Sequence, residues 1–224
     1  MLPAVRASMC MTDPDLTGKA RVARDSSRTI GQILAAARQE FITNGFDGTK
    51  MEHIARRAQV SKQLVYSYFN GKEELYAELS KEISREAYRR LLVIDFDAME
   101  PQVAIRAYIE GVYDHFLDDP AIGLLTVDQS LHGGAHIRLP GGETRRMQLD
   151  LYQRIDRVLK RGQADGIFSD FIGSDMLEFM TTIIVSGCVS SRGMFERFVG
   201  RSAETDANYW RAHSVEFILR ALRA

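Results

Sequence analysis

Apolar residues recur at three- and four-residue steps through Ile30, Leu34, Ala37 and Phe41, the stripe of an amphipathic helix beginning near Arg28. Residues 1–27 hold Pro3, Pro14, Gly18 and scattered charge without any period, which predicts a mobile tail. Asn44-Gly45 predicts the first helix stop, because glycine accepts the left-handed conformation that closes a helix. Thr49 and Glu52 have capping-box spacing and predict a short helix over 50–58 that buries Met51, Ile54, Ala55 and Ala58. A tight turn at Gln59-Val60 leads to a third helix over 61–69. Asn70 and Glu73 are then spaced to cap a long helix that reaches about Leu92 through Leu75, Leu79 and Ile83. Three short helices and a long one, with small residues where the second and third cross, outline a helix-turn-helix.

The remaining chain stays helical in period. Val103, Ala107, Val112 and Phe116 mark a helix over 102–117, and Asp118-Asp119-Pro120 starts a shorter one. His132 to Gly142 reads as a glycine-rich loop. Met147, Leu151, Ile155, Val158 and Leu159 stripe a helix ending near 162–166. Residues 175–198 are apolar on nearly every side and contain the small-residue run SGCVSSRG. Residues 203–222 carry Trp210, Phe217 and Ala221 at helical steps. No segment reads as a strand, so the predicted class is all-α: a three-helix head and a helical body, divided as 1–27, 28–72 and 73–224.

The charge pattern gives the head a direction. The whole chain of 224 residues has a formal charge of −1, yet residues 1–72 hold eleven Lys and Arg against six Asp and Glu, a balance of +5 that leaves −6 for the rest. A basic head on an acidic body is the division expected where only the head meets phosphate. The twelve residues SKQLVYSYFNGK, 61–72, sharpen this picture. Val65 and Phe69 lie on one face as core. Ser61, Lys62, Gln63 and Leu64 stand on the outer N-terminal face, where a helix in a major groove meets base edges and phosphate. Tyr66 and Tyr68 can pack at the rim, and Lys72 opens the next helix. A hairpin that merely packs would also satisfy the periodicity. No GxSxG, P-loop, GxGxxG or CxxC occurs, and the glycines between His132 and His136 argue against a helical metal face, so neither an enzyme, a metal site nor a cofactor is expected. The two distant cysteines, Cys10 and Cys188, and the lack of an apolar span predict a cytoplasmic protein without membrane contact.

Residues 45–76, GFDGTKMEHIARRAQVSKQLVYSYFNGKEELY, closely resemble the DNA-binding head of the tetracycline-repressor (TetR) family, and the resemblance extends over residues 28 to about 85. It implies that Thr49 caps the second helix and that Lys50 stands where a phosphate-binding Thr or Ser is common. It further implies that Lys62, Gln63, Leu64 and Tyr66 face bases or the adjacent backbone, and that Tyr68 and Lys72 contact phosphate. Two departures are visible. Gln59 replaces the glycine usual in the turn, and Gln63-Leu64 replaces a commoner Gly-Thr pair, so the operator cannot be carried over from relatives.

For the body, the resemblance implies a helical bundle that forms a homodimer through its last two long helices and encloses a small-molecule effector pocket. Tyr108, His115, Gln129, Met147, Tyr152 and Met180 lie on the segments that line such pockets in relatives. The implied protein is a repressor released from a palindromic DNA operator by its effector, with the helix from Asn70 as the lever. A regulator without an effector, constitutive or controlled by a partner, is the alternative.

Overall fold

The first helix reaches further back than its apolar stripe. In the computed structural model, which describes residues 14–199 and 207–224 and the side chains of 25–119, 122–198 and 208–224, α1 spans Pro14–Gly48. The expectation of a tail over 1–27 is therefore corrected for residues 14–27, and 1–13 lie outside the described residues. Proline suits a first helical turn, where its missing N–H is not needed. Lys19, Ala20, Arg21, Ala23 and Arg24 are good helix formers, but they make no apolar stripe to read. Gly45 has φ 66° and ψ 179°, so the regular helix stops at the expected glycine and a separate turn completes the span.

α2 (Met51–Arg57) and α3 (Lys62–Tyr68) follow, with Ala55 and Ala58 buried where they meet. The Thr49–Glu52 capping box does not form. The Thr49 hydroxyl donates instead to the Gly45 carbonyl at 2.7 Å, no side chain caps α2, and Glu52 is drawn to Lys62. The cap of α4 (Lys72–Leu92) shifts by one residue. Gly71 is its N-cap, so Glu74 rather than Glu73 sits three residues on, and the Glu74 carboxylate accepts from the Asn70 amide N–H (2.9 Å) and side chain (2.7 Å).

After a single 3-10 turn at Phe96–Ala98 come α5 (Pro101–Asp118), α6 (Pro120–Leu131), α7 (Gly142–Ala164), α8 (Ser174–Ser190), α9 (Arg192–Val199) and α10 (Ala207–Ala221). Among the described residues the only extended pairing is an isolated bridge between Phe168 and Arg223. α5 is the axis of the body, packing against α4, α6, α7, α8 and α10. Gly162 of α7 lets Phe168 approach so closely that a Cβ there would lie 2.2 Å from its ring. The single all-apolar helix expected over 175–198 is corrected to two, broken at Ser191. α8 is also one-sided: Leu177, Thr181 and Val185 are buried, whereas Met176, Phe179, Met180 and Ile183 are exposed.

Two hydrophobic cores result. Ile33, Phe41, Ile54, Val65, Leu75 and Tyr76 belong to the head core, and the α5 residues centre the body core. Leu125 of α6 packs into the head core, so α6 is shared between the two.

Candidate functional site

The head presents α3 as an exposed edge on a fixed base. The Ser61 hydroxyl caps α3 by accepting from the Leu64 N–H at 3.1 Å. Val65 is fully buried and Phe69 nearly so, which anchors the helix from within. Lys62, Gln63, Leu64 and Tyr66 consequently point outward; even the apolar Leu64 and Tyr66 are 37% and 43% exposed. Large side chains left open beside polar ones, on a helix whose other face is packed, are what a groove-reading helix needs. Gln59 takes φ 57°, so this glutamine adopts the left-handed turn that glycine would enter without strain. Lys62 pairs with Glu52 and lies over the Tyr66 ring at 5.7 Å, joining the α2 surface to the start of α3.

Other expected DNA contacts are placed differently. Thr49 is 3% exposed, with its hydroxyl committed to Gly45, so it shapes the turn rather than offering a phosphate ligand. The Lys72 ammonium donates to the carbonyls of Phe46 (2.7 Å), Asp47 (3.3 Å) and Thr49 (3.3 Å) and lies 4.4 Å from the Phe46 ring centre. Its three donors thus close the end of α1. The Tyr68 hydroxyl is 3.0 Å from Ser26 Oγ, tying α3 to the part of α1 that sequence periodicity did not reveal. Lys50 is exposed. Arg28 and Arg56, which the sequence pattern did not single out, are exposed, and among the described residues neither has an ion pair. Arg56 stands one turn after Glu52 on α2, on the face that Lys62 bridges.

A cavity of about 340 Å³ lies in the body between α4, α5, α6, α7, α8 and the segment 137–140. Tyr108, His115 and Gln129 are brought together in its wall as expected, whereas Met147, Tyr152 and Met180 are not. The misses are of helical phase, since one residue turns a helix by about 100°. Gln148 and Leu151 of α7 replace Met147 and Tyr152, and Glu178 and Thr182 of α8 replace the outward-facing Met180. Burial and the neighbouring Arg90 guanidinium hold the His115 imidazole below its ordinary pKa. Burial and the charge of Glu178 push the Tyr88 hydroxyl up to about 12.

α6 connects this cavity to the head. Its Leu125 and Gln129 line the wall. On the same helix Asp128 accepts from the Phe46 N–H at 3.2 Å and the Tyr76 hydroxyl at 2.9 Å. His132 reaches Asp47 at 3.3 Å, and His136 stacks on Phe46 with ring centres 3.6 Å apart. Among the described residues no group of three His, Cys, Asp or Glu could hold a metal, and no helix is long and apolar enough to cross a membrane.

Residues 33–79 match the family model for bacterial regulatory proteins of the tetR family, and residues 101–218 match the tetracyclin repressor-like C-terminal domain. The chain belongs to the TetR family. The HTH-type transcriptional repressor NicS of Pseudomonas putida is 27% identical over 150 residues, covering 67% of this chain and 70% of NicS. The HTH-type transcriptional repressor SCO4008 of Streptomyces coelicolor is 26% identical over 178 residues, 80% of this chain and 87% of SCO4008. The fold matches FadR of Bacillus subtilis in complex with stearoyl-CoA, with a TM-score of 0.60 at 18% identity over 86% of this chain and 98% of FadR. This TetR-family chain is accordingly a DNA-binding regulator of transcription, in a family and among relatives that are regulators rather than enzymes.

Proposed function

We propose that the protein is a cytoplasmic, homodimeric repressor that reads a palindromic operator through α3 and leaves it when a small molecule enters the body cavity. The observation that carries this reading is the division of α3, with Val65 and Phe69 buried and Lys62, Gln63, Leu64 and Tyr66 open. Gln63, which has two donors and an acceptor at its tip, is the base reader. Lys50, Arg28 and Arg56 are the phosphate contacts, because they are exposed cations on the head without a competing carboxylate. The head lies within residues 28–72, and 73–224 bind effector and partner.

The exposed apolar residues Met176, Phe179 and Ile183 of α8, together with Phe217 of α10, support a paired copy across these helices. A two-fold dimer would set the two α3 helices one turn of DNA apart, about 34–36 Å. The effector must bind the released state more tightly, since equal affinity shifts no population. α4 and α6 carry the change, because each lines the cavity and also holds the head. The chain acts by binding and needs no catalytic group.

Selection from a random duplex library by the purified protein tests the reading. Enrichment of a palindrome is expected. A folded protein that enriches no sequence contradicts it.

A further inference from the structure

α3 carries a single charged side chain, Lys62, and that ammonium turns sideways to Glu52 on α2. Val65 and Phe69 point into the head core, so the opposite face of the helix is made by Gln63, Leu64 and Ser67, all of them exposed. Their groups are unequally available. The Ser67 hydroxyl donates to the Leu64 carbonyl at 2.7 Å, whereas among the described residues nothing in the protein holds the Gln63 amide. Leu64 adds a branched apolar surface to this face and is 37% exposed.

Leu64 is also held at both ends of its backbone. Its N–H donates towards the Ser61 carbonyl at 3.0 Å and the Ser61 hydroxyl at 3.1 Å, and its carbonyl accepts from Ser67. The next residue, Val65, is fully buried and fixes the helix from behind. A single exposed leucine on a protein surface is ordinary. One fixed on the face that enters a groove is a contact surface of set position, with little freedom left to lose on binding.

The major groove offers such a side chain one match. Guanine, adenine and cytosine display hydrogen-bond donors and acceptors there, and thymine alone adds an apolar group, its 5-methyl. A leucine pressed on the polar edges would strip them of water without returning a hydrogen bond. Resting on the placement of α3 in the groove proposed above, we infer that Leu64 is a second base reader, which packs on the 5-methyl of a thymine in each half-site. Gln63 and Leu64 are neighbours, about 100° apart around the helix and about 1.5 Å along it. The thymine therefore belongs to the base pair that Gln63 reads or to one beside it. The Gln63 amide matches adenine N6 and N7, so the two residues together select A·T pairs where α3 touches the bases.

Deoxyuridine tests this, because it lacks only the 5-methyl of thymidine and pairs with adenine in the same way. The affinity of the full chain is measured for the selected palindrome and for duplexes in which each thymine of the half-site, on either strand, is replaced by uracil in turn and symmetrically in both halves. At one position uracil should weaken wild-type binding about fourfold per half-site, or about fifteenfold for the palindrome, the effect of one buried methyl. Leu64→Ala should bind the thymine and uracil duplexes equally. A merely structural role for Leu64 would weaken every duplex alike and leave the uracil effect in place, which overturns the assignment. So would a selected half-site with no thymine in the pair that responds to Gln63→Ala or beside it. A palindrome that is selected but indifferent to uracil at every position removes Leu64 alone from the readout. A folded protein that selects no sequence removes the operator reading, and Leu64 with it.

Discussion

Asp128 is the joint through which the cavity and the head are expected to communicate, and Asp128→Ala isolates it. One carboxylate oxygen accepts from the Phe46 N–H at 3.2 Å, at the end of α1, and the other from the Tyr76 hydroxyl at 2.9 Å, on α4. Hydrogen bonds to a charged group contribute about 1.5–3 kcal/mol each. Asp128 is half-buried and the Phe46 N–H can be rehydrated, so the lower part of that range applies to the first bond. Tyr76 is 1% exposed, and without Asp128 its hydroxyl keeps only the Gln129 side chain and the long contact to the Leu125 carbonyl at 3.5 Å, so it is left partly unsatisfied. The loss is therefore about 2–4 kcal/mol, or roughly 5–15 °C in thermal midpoint for a domain of this size. Tyr76→Phe removes the second bond alone and should cost about half as much. Circular dichroism melting of wild type, both single variants and the double variant gives the coupling. Because Tyr76 and Asp128 share a bond, the double variant should be less destabilised than the two singles added together. A midpoint for Asp128→Ala within 2 °C of wild type by this estimate, or strict additivity, would refute the joint.

Four further outcomes follow from single contacts. Gly162→Ala would place a methyl 2.2 Å from Phe168 and should destabilise the body by about 1–3 kcal/mol, read by chemical denaturation. Lys72→Met should lower head stability by about 1–3 kcal/mol through three lost carbonyl contacts, while the salt dependence of DNA binding stays unchanged. Arg56→Ala should instead keep stability and reduce the slope of log affinity against log salt by about one, as loss of one phosphate contact does. Glu178→Gln should separate from wild type with pH. Burial raises the Glu178 pKa above its unfolded value, so its neutral form favours folding below about pH 4, and this is lost as pH rises through the folded value. The melting-temperature gap in favour of the glutamine variant should widen from pH 4 to pH 7.

The local features of the head were legible because they depend on neighbours in sequence. The Gly45 stop and the buried pair Val65 and Phe69 are set within a few residues, whereas the Ser61 hydroxyl, expected to face DNA, caps α3. Side chains with two suitors were not legible. Glu52 fits a capping box by spacing but goes to Lys62, and Lys72 fits a phosphate contact but turns to carbonyls 23 to 26 residues away. In the body, stripes locate helices without fixing which edge of a stripe meets a cavity, so Met147 and Tyr152 stand one residue from the true wall at Gln148 and Leu151. Glu178 was hidden because a lone carboxylate in an apolar helix gives no periodic signal. Asp128 was hidden because its partners, Phe46 and Tyr76, are 82 and 52 residues distant.

The most direct measurement of sequence reading by α3 is the affinity of wild type and Gln63→Ala for the selected palindrome and for every single-base variant of one half-site. Gln63 should account for a preference of about 1–3 kcal/mol at one base pair, repeated symmetrically in the other half-site, and the alanine variant should lose it there alone. A uniform loss across all sequences, or no loss at any, would contradict the placement of α3 in the groove.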